Sequence, residues 1–145
     1  METYCKIPLC KVNVNIWTGR EMQVFNISDS FFYRSLLHDD RSIYEKYRNL
    51  VHSTWPSILR DKRQGRVSKQ KLPVCSYEDF CNVYESINIK GYDTKKPMTI
   101  KKQKDSYLIL DGQHRASILL HINYNQILCI ENKKAIPELS QHDKS

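Results

Sequence analysis

Glycine is scarce in this chain: 4 of the 145 residues are glycine, and no segment recurs at a fixed period. Collagen-like, coiled-coil and solenoid architectures are therefore excluded. Long apolar runs are also missing, since none approaches the roughly 18 residues that cross a bilayer. Residues 1–8 lack the basic and apolar regions of a secretion signal, so we expect neither an export signal nor a transmembrane segment.

The cysteines do not form the pattern of a disulfide framework. They are odd in number and never stand as Cys-x-x-Cys; their positions are 5, 10, 75, 81 and 129. A zinc site would need paired ligands at short spacing. We therefore expect reduced thiols and a cytoplasmic location.

Acidic residues are almost absent from two stretches that hold the surplus of positive charge. Residues 60–71 contain six basic residues and one acid, and residues 95–104 contain five lysines and no acid. The two stretches together carry +10, against +7 for the whole chain. Such a local surplus favours a polyanionic partner such as nucleic acid. Solvated lysines on a loop and a hairpin would produce the same pattern.

Period-two alternation predicts a β-hairpin near the start of the chain. Residues 10–16 alternate apolar and polar side chains, which is typical of a half-buried strand. A Thr-Gly turn follows at 18–19, and residues 22–27 are the expected partner strand. The predicted core-facing side chains of the first strand are Val12, Val14 and Ile16.

Two helices are predicted between residues 28 and 53. Ser28, Asp29 and Ser30 offer N-cap chemistry for a short helix over 31–37. Apolar residues at helical spacing then predict a longer helix that extends to about residue 53.

The basic stretch predicts an irregular segment inside a single domain. Residues 60–71 contain a glycine, few apolar side chains and no periodicity, so we expect an exposed loop at about 57–75. Neither flank is long enough to form its own core, so residues 1–131 are expected to be one domain. Residues 132–145 are polar and are expected to form a C-terminal tail.

The second half of the chain alternates between helix and strand. Ser76, with an acid three residues later, resembles a capping box before the clearest amphipathic segment. The predicted elements are a helix ending near Gly91, strands at 98–101 and 107–110, a helix reaching about residue 121, and a strand at 126–130. Together they predict an α+β fold with a small mixed β-sheet flanked by helices.

The candidate site lies where the predicted strand at 107–110 turns into a helix. Gly112 permits a sharp turn and a close backbone approach, and a helix N-terminus offers unpaired N–H groups to an anion. Arg115 adds a donor suited to phosphate, and His114 adds a donor or a base. Asp111 could hold a metal or accept a proton, or it could simply cap the helix. The pattern favours phosphate chemistry.

Residues 111–115, Asp-Gly-Gln-His-Arg, resemble the Asp-Gly-His-His-Arg box of the ParB/sulfiredoxin-like superfamily. The helix at 80–91 and the segment 97–100, Pro-Met-Thr-Ile, resemble the helix and the Pro-Ile-x-Val segment that precede that box. The resemblance covers about residues 76–131. Residues 9–50 are similar, more weakly, to ParB-like proteins encoded near bacterial surface-polysaccharide genes. The resemblance implies a ParB/sulfiredoxin-like fold.

Departures from the family pattern narrow the implied activity. Gln113 stands where sulfiredoxins carry their catalytic cysteine, which argues against sulfinic acid reduction. Gln113 also replaces the glutamate of the chromosome-partition box, and too few residues follow for a helix-turn-helix domain. The box is closest to that of the small ATP- or ADP-dependent kinases that act on free serine. The glutamate base of those kinases has no clear match, and Glu21 and Asp29 are the nearby carboxylates.

The resemblance implies a nucleotide-dependent phosphotransferase that acts on a hydroxyl of a sugar, a glycan or a small metabolite, in bacterial polysaccharide biosynthesis. ATP or ADP would be the donor. The implied catalytic residues are Asp111, His114 and Asp29, with Mg²⁺ at Asp111. The implied nucleotide-binding residues are Gly112, Gln113, His114, Arg115 and Ser117. Two alternatives stay open: a nucleic-acid-binding or nuclease module that uses residues 60–71 and 95–104, and a non-catalytic nucleotide sensor.

Overall fold

The computed structural model describes residues 2–65 and 74–132. The strands in these ranges are β1 (Glu2–Pro8), β2 (Val12–Trp17), β3 (Met22–Asn26), β4 (Met98–Lys102), β5 (Tyr107–Asp111) and β6 (Gln126–Asn132). The α-helices are α1 (Phe31–Leu37), α2 (Arg41–Thr54), α3 (Pro56–Arg63), α4 (Tyr77–Lys90) and α5 (Gln113–His121). The described strands form one mixed sheet in the order β1-β6-β4-β5-β2-β3. The predicted α+β class is confirmed.

Strand pairing brings two carboxyl ends to the same edge of the sheet. β2 and β3 form the predicted antiparallel hairpin, while β2 and β5 run parallel. Trp17, at the end of β2, and Asp111, at the end of β5, therefore lie at the same edge. β4 pairs parallel with β6 and antiparallel with β5, so β5 lies in the interior of the sheet between β4 and β2.

Aromatic side chains from three helices form much of the core against the sheet. Tyr44 and Phe80 are fully buried and their rings stack with centroids 5.0 Å apart. Phe32 lies beside both rings and is 3% exposed. Tyr47 is buried as well. Large aromatic rings supply much of the apolar area that a core of this size buries.

The predicted caps fix where the helices begin. The Ser30 hydroxyl accepts a hydrogen bond from the Tyr33 N–H at the start of α1. Ser76 accepts from the Asp79 N–H at the start of α4, as the capping box predicts. α4 ends at Gly91, which has a φ of +77°. None of the helices in residues 2–65 and 74–132 is long and apolar enough to cross a bilayer.

Two elements differ from the prediction. β1 was not predicted; it pairs antiparallel with β6 over its whole length. The predicted loop at 57–75 is wrong over residues 57–63, because Pro56–Arg63 form α3. Pro56 occupies the first turn of this helix, where its missing N–H costs no hydrogen bond. Asn132, predicted as the first residue of the tail, belongs to β6 instead. Residues 66–73 of the predicted loop and residues 133–145 of the predicted tail lie outside the described residues.

Candidate functional site

The turn between β5 and α5 is built around Gly112. This residue has a φ of +112°, and a Cβ placed on it would lie 2.8 Å from the Met98 sulfur and closer still to the Met98 Cγ. Glycine is therefore required here by the packing of Met98 and by the backbone conformation. α5 begins at Gln113, and the cap residue Gly112 provides no side-chain acceptor for the first N–H groups of the helix.

A cavity of about 190 Å³ opens in front of this turn. It lies between the ends of β2 and β5, the start of α5, and residues of α1 and α2. Its aromatic walls are formed by Trp17, Phe32, Tyr47 and Trp55. Its polar lining is formed by Asn15, Asp111, Gln113 and His114.

Asn15 and Gln113 form the polar inner wall of the cavity. The Gln113 side-chain N–H donates to the Asn15 backbone carbonyl at 3.1 Å, which ties α5 to β2. Asn15 is 3% exposed, although strict alternation predicts that it faces away from the core. Its Oδ1 has no hydrogen-bond partner among the described residues. A buried hydrogen-bond acceptor without a partner lowers the stability of the fold unless a ligand or a water molecule supplies a donor.

Asp111 lies at the rim of the cavity, with a side chain that is 80% exposed. Its Oδ2 is 4.0 Å from the Arg115 Nη2, so the two groups form a loose ion pair. An exposed carboxylate beside an uncapped helix N-terminus can bind a cation that also contacts a phosphate. Within the described residues no cluster of three or more metal-ligating side chains is present.

His114 lines the same cavity but is held by aromatic rings. Its ring centroid is 4.2 Å from that of Phe32 and 5.5 Å from that of Phe80. Burial lowers the pKa of His114 from 6.5 to about 4, so the imidazole is neutral at pH 7. Its Nε2 is 3.8 Å from the Cys75 Sγ. A neutral imidazole can donate or accept one hydrogen bond at each nitrogen but brings no positive charge to a phosphate.

Arg115 points away from the cavity. Its guanidinium donates a hydrogen bond to the Lys96 carbonyl. It lines a separate groove of about 520 Å³ beside the end of α4, together with Lys90 and Lys96. The structure therefore places Arg115 outside the cavity that the other residues of the box line, because consecutive residues of a helix project about 100° apart.

Ser117 and Asp29 also lie away from the cavity. Ser117 is fully buried; its hydroxyl donates to the Gln113 carbonyl and lies 3.3 Å from the Ser30 hydroxyl. A buried hydroxyl with these partners cannot contact a nucleotide in this conformation. Asp29 ends a short 3-10 turn at Ile27–Asp29, is exposed, and is not part of the cavity lining. Asp111, Gly112, Gln113 and His114 are the implied site residues that the structure brings together.

Three residues of the cavity were missed as site residues in the sequence. The rings of Trp17 and Trp55 meet edge to face, with centroids 5.2 Å apart. Both also line the cavity, as does Asn15. Asn15 lies in the second half of β2, where every residue from Val14 to Trp17 is buried, and the period-two pattern of the sequence gives no signal of this.

The described parts of the basic segments are exposed. In the first segment the exposed cations are Arg60, Lys62 and Arg63 on α3. In the second they are Lys95, Lys96, Lys102 and Lys104. Arg66, Lys69 and Lys71 lie outside the described residues. Binding of nucleic acid by these segments stays a prediction.

The geometry is that of a small aromatic cavity that opens at an uncapped helix N-terminus beside an exposed carboxylate. Comparisons of the chain with protein-family models, with curated proteins and with solved structures find no match.

Proposed function

We propose that this chain is a nucleotide-dependent phosphotransferase that acts on a hydroxyl of a sugar, a glycan or a small metabolite. The observation that carries the proposal is the N-terminus of α5, which has no side-chain cap and opens onto a cavity with Asp111 at its rim. We further propose a ParB/sulfiredoxin-like fold and a cytoplasmic location, in keeping with the Asp-Gly-Gln-His-Arg box and with five free cysteines.

The start of α5 would hold the phosphates of ATP or ADP. Its first N–H groups and the positive end of the helix dipole attract anions. The positive charge that attracts the phosphates would come from the backbone of α5 rather than from Arg115. The Arg115 guanidinium already donates to the Lys96 carbonyl and pairs with Asp111. Phosphoryl transfer depends mainly on positioning and on charge stabilisation, both of which a preorganised helix terminus provides.

Asp111 and His114 would act at the reacting groups. Asp111 is exposed and beside the helix terminus, and this fits a ligand of Mg²⁺. Bound there, Mg²⁺ would offset the negative charge that develops on the phosphate oxygens. His114 is neutral at pH 7, so it can accept a hydrogen bond from the acceptor hydroxyl. Asp29 lies away from the cavity and has no role in this proposal.

The test is turnover of ATP and ADP with saccharide and small-metabolite acceptors, with the Asp111→Asn variant alongside the parent. We expect phosphorylated product from the parent and a loss of at least about 100-fold in Asp111→Asn. Because Asp111 is 80% exposed, the melting temperature should stay within a few degrees of the parent.

The matched control is Asp105→Asn, which removes an exposed carboxylate in the turn between β4 and β5. It should retain turnover. Absence of product with either nucleotide and every acceptor would overturn the proposal. Full activity in Asp111→Asn would reduce Asp111 to a structural residue and remove it from the mechanism.

A further inference from the structure

The pairing of β1 with β6 sets two cysteines opposite each other. Cys5 of β1 and Cys129 of β6 are direct partners in this antiparallel register. They are far apart in the sequence, so their spacing gives no sign of a pair. Directly opposed residues of an antiparallel ladder point to the same face of the sheet. The two thiols therefore lie side by side at this edge of the sheet.

The hydrogen bonds of the ladder identify the kind of pair that the cysteines form. Just beyond β1, the Leu9 N–H donates to the Asn125 carbonyl at 2.9 Å, in continuation of the same register. Hydrogen-bonded pairs recur at every second position of an antiparallel ladder, so Cys5 and Cys129 form such a pair as well. Pro8, which has no N–H, falls at a position between them, where none is needed. Hydrogen-bonded pairs have Cα atoms about 5.5 Å apart, inside the range of about 4.4–6.8 Å that disulfides span.

A disulfide at this position would carry some strain. Opposed side chains of a ladder have Cβ atoms about 4.5–5.5 Å apart, whereas a disulfide brings them to about 3.5–4.5 Å. β1 can supply the missing distance because it is an edge strand, with β6 as its only neighbour in the described sheet. Strained disulfides are the more easily reduced ones. The geometry therefore favours a reversible bond over a permanent one.

The two thiols differ in their access to a reagent. Cys5 is half-buried and reaches solvent, whereas Cys129 is fully buried. Burial raises the pKa of both thiols, that of Cys129 to about 12, and the negative charge of Glu131 also raises the pKa of Cys5. Both thiols are therefore protonated at pH 7, and their uncatalysed exchange should be slow. Oxidation has to begin at Cys5, because its sulfur is the one that an external reagent can reach.

We propose that Cys5 and Cys129 are a site of reversible disulfide formation with a low-molecular-weight disulfide such as oxidised glutathione. The Cys5 thiolate attacks one sulfur of the reagent, a Cys5–glutathione bond forms, and one glutathione leaves. The Cys129 thiolate then attacks the Cys5 sulfur, the Cys5–Cys129 bond forms, and the second glutathione leaves. The protons of the two cysteines pass to the two glutathiones, so the protein is oxidised by two electrons and the reagent is reduced by two. Reduced glutathione reverses both steps, and the proposal is independent of the proposed function.

The bond would fasten β1 to the part of the sheet that supports the candidate site. It joins the edge strand to β6 and closes a loop that contains most of the chain, which restricts the unfolded state. Cys129 is also the partner of Met98 on β4, and the Met98 side chain packs against Gly112. The oxidised form therefore ties β1 to the strands behind the turn at Gly112.

Incubation of the full chain in glutathione buffers of increasing oxidised fraction tests the proposal. Free thiols are then alkylated, and the protein is digested without reductant and analysed by mass spectrometry. We expect a peptide pair joined through Cys5 and Cys129, with the loss of two hydrogen atoms. The pair should disappear when reduced glutathione is added to the folded protein. The oxidised protein should melt about 5 °C or more above the reduced protein.

Serine variants assign the bond. Cys5→Ser and Cys129→Ser should each abolish the joined peptides and the rise in melting temperature. Cys10→Ser is the matched control, because it removes an exposed thiol in the 3-10 turn after β1 and should leave both unchanged.

Several results would overturn the proposal. They are free thiols at every glutathione ratio, glutathione that stays on Cys5 without a bond to Cys129, and a bond from either cysteine to a different one. A Cys5–Cys129 bond that reduced glutathione cannot open in the folded protein would refute its reversibility. Equal melting temperatures of the oxidised and reduced forms would refute the fastening of β1.

Discussion

Replacement of Gly112 by alanine tests the packing of the turn that carries the candidate site. The added Cβ would meet the Met98 side chain, with the sulfur 2.8 Å away, and Met98 is fully buried and cannot swing into solvent. The backbone at position 112 also has a φ of +112°, a conformation that residues with a Cβ rarely adopt. Gly112→Ala therefore combines a steric cost with a conformational cost.

The expected loss of stability follows from these two costs. An unfavourable positive φ costs about 1–2 kcal/mol, and overpacking a close-packed core costs about 1–3 kcal/mol. The free energy of unfolding should fall by about 2–5 kcal/mol in total. For a domain of this size that corresponds to a decrease in melting temperature of roughly 5–15 °C.

Urea denaturation at equilibrium measures the effect, and Gly65→Ala is the matched control. Gly65 has a φ of +69°, but a Cβ there would meet no atom of the described residues within 4 Å, so among these residues the variant carries the conformational cost alone. Gly112→Ala should lose more stability than Gly65→Ala by the steric contribution. Equal losses in the two variants would refute the reasoning that Met98 demands glycine at position 112.

Two further predictions concern His114 and Arg115. Burial holds the pKa of folded His114 at about 4, below the 6.5 of the unfolded chain, so stability should fall by about 3 kcal/mol as pH drops from 6.5 to 4. Urea denaturation across this pH range should show that loss of stability in the parent and a smaller loss in His114→Phe. An equal dependence of the free energy of unfolding on pH in the two proteins would contradict the prediction. Arg115→Ala should keep its affinity for nucleotide within about threefold, because Arg115 faces the Lys96 carbonyl, and should lose about 1 kcal/mol of stability. Calorimetric titration with ATP measures the affinity. A large loss of affinity in Arg115→Ala would contradict the prediction and assign Arg115 a contact with the phosphates.

Local patterns in the sequence were sufficient for most elements. The capping residues Ser30 and Ser76 and the helical spacing after them depend on neighbours within one or two turns, and both helices form where expected. β1 could not be found in this way. Its partner β6 lies more than a hundred residues further along the chain, and an edge strand of mixed polarity has no nearby turn to mark it.

The candidate site could be predicted only as far as the backbone turn. Residue types at fixed spacing predict the strand, the turn at Gly112 and the start of α5. All three are present in the structure. The direction of Arg115 depends on how α5 is rotated against α4, which spacing alone does not determine. The burial of Asn15 depends on elements that cover the end of β2 from outside, so strict alternation places it on the wrong side.

The pairing of β1 with β6 has a consequence for how the chain folds during synthesis. β1 precedes the other described strands along the chain and β6, its only neighbour in the described sheet, follows them, so β1 is made long before its partner. The apolar Ile7 of β1 is fully buried in the folded protein, and its partner in the described sheet is Ile127, which is made about 120 residues later. Contacts that join distant parts of a chain also form slowly, because a long loop must close first. Completion of this sheet edge is therefore expected to be a late step of folding, and chaperones that bind exposed strands would act on β1 while it is unpaired.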